Sequence, residues 1–249
     1  MKCVILAGGE GTRISEETRY IPKPMIRVGD RPLLRHIMDI YINQGINEFI
    51  IPVGYKSEII TSYFLTYENT TLNQVDGNLV FSNHEWKATV VETGKGTQTG
   101  GRIGRLRDLL TEDFCMTYGD GVGNPDIQFV LREHKAYRTV ATITAVRPVP
   151  RFGSVIFKPG EATVLEFGEK TERQRDWING GFAVLSPRIF DYIVNDNCNL
   201  EKDVYPVLAD TGELCAVKHE GFWHCVDTLR DLQELETIYK EHGASWAKQ

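Results

Sequence analysis

At 249 residues, 41% apolar and 25% charged, the chain can bury a sizeable core and lies near the globular average, which excludes a disordered protein. A net charge of −6 argues against general nucleic-acid binding, so any positive field for an anion has to be local. Five cysteines (Cys3, Cys115, Cys198, Cys215 and Cys225) are odd in number and show no CxxC or Cys/His spacing, which points to reduced thiols and away from a disulfide framework or zinc site. With no signal pattern and no apolar run of bilayer length, the expectation is a cytoplasmic protein that does not meet a membrane.

The first predicted element is an apolar strand, Lys2–Leu6, running straight into Ala7-Gly8-Gly9-Glu10-Gly11-Thr12-Arg13. Three glycines in four positions open φ values closed to other residues and let backbone approach an anion. Successive N–H groups can then share one concavity, with Arg13 adding a charge that grips phosphate oxygens bidentately. An ordinary tight strand-to-helix turn is the alternative. The spacing matches neither the dinucleotide fingerprint, because no glycine follows at the third position, nor a Walker loop, because the next lysine lies about a dozen residues on. That lysine, Lys23, stands between Pro22 and Pro24, which fix the backbone on both sides of it.

Further along, a helix over 32–44 is expected, because Leu33, Leu34, Ile37, Met38, Ile40 and Tyr41 share one stripe. A strand over 48–52 and a helix over 56–64 follow, then strands over 80–82 and 89–92 and a helix over 101–110. The strand Phe114–Tyr118 comes next and ends in Gly119-Asp120-Gly121. A helix over 127–137 precedes strands over 141–145, 154–157, 164–167 and 181–185. Helices over 187–192, 204–210 and 228–240 close the chain. The alternation predicts an α/β fold with a doubly wound, mostly parallel, Rossmann-like sheet and a small antiparallel β region. In such sheets ligands bind at the carboxyl ends of the strands, where the strand order reverses. The glycine loop, Gly119 to Gly121 and Asn179-Gly180 should therefore converge on one face.

The pair LAGGEGTR and PKPM resembles the signature of the sugar-1-phosphate nucleotidylyltransferases. TGGRIGRL (99–106), TYGDGV (117–122), RFGSV (151–155), INGGFAVL (178–185) and GFWHCVDTLRDL (221–232) are similar, in the same order, to the glucose-1-phosphate cytidylyltransferase branch. The resemblance implies a nucleotide-diphospho-sugar transferase-like fold. It implies transfer of CMP from CTP to a sugar 1-phosphate, with glucose 1-phosphate the foremost acceptor, giving a CDP-sugar and pyrophosphate. A single domain over 1–249 is expected, with 1–120 mainly binding nucleotide and 121–249 mainly binding sugar phosphate and carrying the metal and assembly elements. It also implies Mg²⁺, a homo-oligomer and a place in nucleotide-sugar and polysaccharide biosynthesis. Two alternatives remain: the same transfer with another NTP or another phosphorylated or phosphonate acceptor, and a non-catalytic nucleotide sensor that kept the fold.

By the same resemblance, Leu6, Ala7, Gly8, Gly9, Gly11 and Thr12 form the phosphate cradle. Arg13 and Lys23 neutralise the triphosphate, and Asp120 and Asp227 hold Mg²⁺. Read from residues alone, Asp120 could equally be an Asx turn and Asp227 a helix N-cap. Thr99, with Gly100 and Gly101 allowing close approach, is expected to read the base, and Arg102 to touch phosphate; a Thr-Gly-Gly run is otherwise only a helix start. Gly119 belongs with the nucleotide, while Tyr118, Glu169, Lys170, Asn179, Gly180 and Trp223 are assigned to the second substrate. Three positions depart from the branch: Thr171 stands where it has proline, Lys95 where it has an acidic residue, and Ala183 where it has phenylalanine.

Overall fold

A computed structural model describes the protein over residues 1–11, 14, 18–67, 69–148, 154–168 and 176–247. Nine strands share one sheet: β1 (Lys2–Leu6), β2 (Glu48–Val53), β3 (Thr71–Val75), β4 (Asn78–Ser82), β5 (Lys87–Glu92), β6 (Phe114–Tyr118), β7 (Ala141–Val146), β8 (Ile178–Leu185) and β9 (Leu214–His219). Their order across the sheet is β9-β7-β8-β6-β1-β2-β5-β4-β3. Strands β6, β1, β2 and β5 are consecutive parallel neighbours, and β7 pairs in parallel with β9. The antiparallel contributions are β8, between β6 and β7, and β4, between β3 and β5. The expected mostly parallel α/β sheet with an antiparallel supplement is therefore present.

The six α-helices of the described residues are α1 (Leu33–Ile42), α2 (Ser57–Thr66), α3 (Thr99–Gly104), α4 (Ile127–Tyr137), α5 (Tyr205–Asp210) and α6 (Leu229–His242). Successive side chains of a strand point to opposite faces, and β1 buries both of its faces. Cys3 and Ile5 join Leu33, Ile37 and Tyr41 of α1 in one apolar cluster, whereas Val4 and Leu6 join Ile103, Leu106 and Phe190 in another. A continuous apolar strand is what a three-layer fold requires at its centre. Each fully buried aliphatic side chain contributes about 1.5–3 kcal/mol.

Several elements differ from the sequence expectation. The helix expected over 101–110 begins at Thr99 and stops at Gly104, followed by a 3₁₀ turn over Arg107–Leu109; Gly100, Gly101 and Gly104 give this stretch poor helix propensity. A π-helical turn, Leu200–Val204, precedes α5, and Pro187–Asp191 is a 3₁₀ turn. Strand β3 was not anticipated, because every one of its residues is exposed and no apolar alternation marks it. The short antiparallel pair formed by Gly121–Gly123 and Trp223–Cys225 was not anticipated either.

The chain leaves β1 for β2 on one side and later returns to β6 on the other. That reversal opens a crevice at the carboxyl ends of β1 and β6. No helix among the described residues is long and apolar enough to cross a membrane.

Candidate active site

A cavity of about 500 Å³ occupies this crevice. Its floor runs from Leu6, the last residue of β1, to Gly11; one wall is Tyr118, the last residue of β6, with Gly119 and Asp120, and another is the segment from Lys95 to Thr99 after β5. The strand-end expectation therefore holds for the glycine loop and for Gly119-Asp120. Thr12, Arg13, Glu169 and Lys170 lie outside the described residues, as does the start of the block at 151–155.

The glycine loop is held from behind. The carbonyl of Gly8 accepts from the Tyr55 N–H at 3.2 Å and from Arg102 Nη2 at 2.7 Å. In a trans peptide the carbonyl and the following N–H point in opposite directions, so the Gly9 N–H faces away from these donors. A Cβ at Gly8 would fall 2.1 Å from Arg102 Nη1, so only glycine fits against the guanidinium. Gly11 sits at φ +64° and accepts at its carbonyl from the Thr18 hydroxyl.

Arg102 corrects an expectation. It borders the cavity and is 3% exposed, but its two terminal nitrogens spend their donors on the protein. Nη1 reaches the Val53 carbonyl at 3.2 Å, Thr93 Oγ1 at 2.7 Å and the Gly94 carbonyl at 2.8 Å; Nη2 reaches the carbonyls of Gly8 and of Lys95 at 3.3 Å. Burial lowers its pKa from the ordinary arginine value. In this structure Arg102 is a clamp that joins the loop after β1 to the loop after β5, and not a free phosphate ligand. Gly100 and Gly101 are also reassigned. A Cβ on Gly100 would meet the Cys198 carbonyl at 2.8 Å and one on Gly101 the Asp196 carbonyl at 2.3 Å. These glycines admit the 196–198 backbone, and neither lines the cavity.

Lys23 opens a 3₁₀ turn, Lys23–Met25, with Pro22 extended before it and Pro24 buried after it. Its ammonium lies 2.8 Å from Asp120 Oδ2 and 2.7 Å from Asp227 Oδ1. Burial opposes the charged form, yet the charge of Asp120 and the hydrogen bonds to both carboxylates outweigh it and hold the Lys23 pKa above the usual lysine value.

The two carboxylates, 107 positions apart in sequence, are brought together by the short antiparallel pair. Gly121 is in register with Cys225, and the Val226 N–H donates to the Asp120 carbonyl at 2.9 Å. One carboxylate oxygen from each aspartate and the Cys225 thiol fall within 4.8 Å of one another. Two convergent carboxylates suit a hard divalent cation that completes its shell with water and phosphate oxygens, whereas a thiol does not serve such an ion.

Asp227 is not the helix N-cap. That role belongs to Thr228, whose hydroxyl accepts from the Asp231 N–H, while Asp231 accepts from the N–H groups of Thr228 and Asp227. The Asp227 side chain is thus released from capping and turned to Lys23.

The second-substrate set separates. Tyr118 lines the cavity; Asn179, Gly180 and Trp223 do not. Asn179 Oδ1 accepts from the Gly181 N–H, and Trp223 Nε1 donates to the Gly180 carbonyl at 2.7 Å, so Trp223 binds Gly180 while Asn179 caps its own strand. Glu10, Pro24, Gly96, Thr97 and Gln98 line the cavity without having been expected there. The signal for 96–98 was their place after a parallel strand.

The nucleotidyl transferase family model matches residues 2–242. Glucose-1-phosphate cytidylyltransferase of Salmonella typhimurium is 42% identical over 255 aligned positions, covering 99% of this chain and 98% of that one. A Bacillus subtilis protein named "Probable glucose-1-phosphate cytidylyltransferase" is 41% identical, covering 99% of each. Among solved structures, HddC from Yersinia pseudotuberculosis superposes with a TM-score of 0.72 at 24% identity, covering 96% of this chain and 99% of that one.

Proposed function

The chain belongs to the nucleotidyl transferase family, and from that premise we propose that it transfers CMP from CTP to glucose 1-phosphate, giving CDP-glucose and pyrophosphate. The observation that carries this reading is Lys23, held within hydrogen-bond distance of both Asp120 and Asp227 at a cavity floored by the glycine loop.

In this reading the sugar-phosphate oxygen attacks the α-phosphorus of CTP and pyrophosphate leaves. A phosphate oxygen is already ionised and needs no general base. The demand is in-line positioning and neutralisation of charge on the transferring phosphorus and leaving group. Lys23 supplies a preorganised cation for the α-phosphate, and the Gly9 N–H, turned away from Arg102, is available to a phosphate oxygen. The resemblance assigns Arg13 and Thr12 to the triphosphate, and Glu169 and Lys170 to the second substrate, with the lysine meeting its phosphate. Asp120 and Asp227 would hold Mg²⁺, which when bound supplies positive charge to the triphosphate oxygens. The cavity draws on 6–120 together with Asp227, which supports one domain whose first half carries mainly nucleotide contacts. We also read the protein as a cytoplasmic homo-oligomer that serves polysaccharide biosynthesis.

Pyrophosphate release across four nucleoside triphosphates and a panel of sugar phosphates tests the proposal. CTP with glucose 1-phosphate should exceed every other pair; a better acceptor or nucleotide would reassign the substrate, and no release with any pair would leave a nucleotide sensor.

Two variants sharpen it. Because Thr228 and Asp231 make the cap, Asp227→Asn should leave the melting temperature within about 2 °C of the parent while raising the Mg²⁺ concentration needed for half-maximal rate roughly tenfold or more. Equal losses of stability and rate at unchanged metal dependence would remove Asp227 from the metal site. Thr99→Val keeps the shape and loses the hydroxyl; it should narrow the preference for CTP over UTP by about 1–2 kcal/mol, roughly 5- to 30-fold. An unchanged preference would return Thr99 to a helix start alone.

A further inference from the structure

Thr99 and Tyr118 both line the cavity, and their hydroxyls meet the same carboxylate. Thr99 Oγ1 donates to Glu201 Oε2 at 3.2 Å, and the Tyr118 phenol donates to Glu201 Oε1. Glu201 itself does not line the cavity. It sits in the π-helical turn Leu200–Val204, and Asn199 fixes that turn by accepting from the N–H groups of Glu201 and Lys202 at 3.0 Å each. The Leu200 N–H donates to Thr99 Oγ1 at 3.0 Å, tying the turn to the start of α3.

The proton count follows from these contacts. A threonine hydroxyl has one proton and two lone pairs, and a tyrosine hydroxyl has one proton. A carboxylate accepts and does not donate, so both protons are committed to Glu201. One Thr99 lone pair is taken by Leu200. What remains to a bound molecule is oxygen lone pairs: one on Thr99 and those of the phenol.

We propose that Glu201 sets the hydrogen-bonding polarity of this wall, so that Thr99 and Tyr118 act as acceptors only and select a hydrogen-bond donor of the nucleotide. This deepens the cytidylyl reading and rests on it. Half-buried acceptors whose protons are already committed disfavour a group that is itself an acceptor, because lone pairs then face lone pairs. The exocyclic amine of cytosine is such a donor where uracil presents a carbonyl, and the ribose 2′-hydroxyl is the other donor a nucleotide offers. Glu201 is a positioning residue in this scheme, acting through the two hydroxyls.

Glu201→Gln tests it, because the amide keeps the shape and replaces one acceptor oxygen with an NH₂ donor. One of the two hydroxyls must then accept from the amide and turn its proton toward the cavity. Ratios of kcat/KM are read for CTP against UTP and for CTP against 2′-deoxy-CTP, with melting temperature as the control for folding. A fall of about tenfold in the first ratio assigns the donor to the amine, and the same fall in the second assigns it to the ribose hydroxyl. Tyr118→Phe, which deletes one acceptor and keeps the ring, should move the same ratio in the same direction and carries the test if Glu201→Gln fails to fold. Both ratios within twofold of the parent in every folded variant would overturn the proposal. Calorimetric binding of the three nucleotides without acceptor gives the ratios independently of turnover. A parent that binds CTP selectively but turns over no sugar phosphate would thus fail the proposed reaction and leave the polarity of the wall standing.

Discussion

Lys23→Ala is expected to lower turnover by roughly 30- to 1,000-fold, about 2–4 kcal/mol of barrier, while changing nucleotide affinity less than about threefold. The split follows from geometry. The ammonium is fixed by two prolines and two carboxylates, so it needs little reorganisation when charge develops at the α-phosphorus. A group that stabilises the transition state more than the bound substrate shows its loss in kcat. Removing it also leaves Asp120 and Asp227 without their shared ammonium. The variant should therefore bind divalent cation in the absence of nucleotide more tightly than the parent, as measured by titration calorimetry. Turnover within twofold of the parent would remove Lys23 from the mechanism.

Arg102→Ala should be the most destabilising of the substitutions considered. The guanidinium ties four backbone carbonyls and the Thr93 hydroxyl together from a site that is 3% exposed. Losing hydrogen bonds of a charged donor to buried acceptors costs about 3–4 kcal/mol in sum. At about 2–4 °C per kcal/mol for a chain of this size, the melting temperature should fall by roughly 6–16 °C. The Gly8–Gly9 peptide and the loop after β5 then lose their common anchor, so the KM for nucleotide should rise more than tenfold and that for the sugar phosphate much less. Arg102→Lys keeps the charge but cannot fork across five acceptors, and it should fall between the two. A fall in kcat at unchanged melting temperature would instead return Arg102 to the phosphate contact that its sequence position suggested.

The candidate site was legible in the sequence wherever chemistry is encoded by near neighbours. Glycines free the loop after β1, prolines flank Lys23, and Gly119 and Gly121 flank Asp120; these local constraints place backbone and charge at the end of a strand whatever surrounds them. Strands β1 and β6 were legible as short continuous apolar runs, the mark of burial on both faces, and helix α4 by the 3.6-residue period that burial of one face leaves in its sequence.

Tertiary structure alone decided the rest. Nothing local distinguishes Asp227 from an N-cap, because Thr228 and Asp231 offer the same hydrogen bonds one step away, and only the register of Gly121 against Cys225 carries Asp227 to Asp120. Arg102 reads as a phosphate ligand until the carbonyls of Gly8 and Val53 are seen to surround it. Glu201 carries no sequence signal for its part in the wall, since its partners Thr99 and Tyr118 lie 102 and 83 positions away. Propensity and periodicity record what each residue asks of its own backbone. Hydrogen-bond partners that far apart are chosen by how the strands cross over, and that is fixed when the sheet assembles.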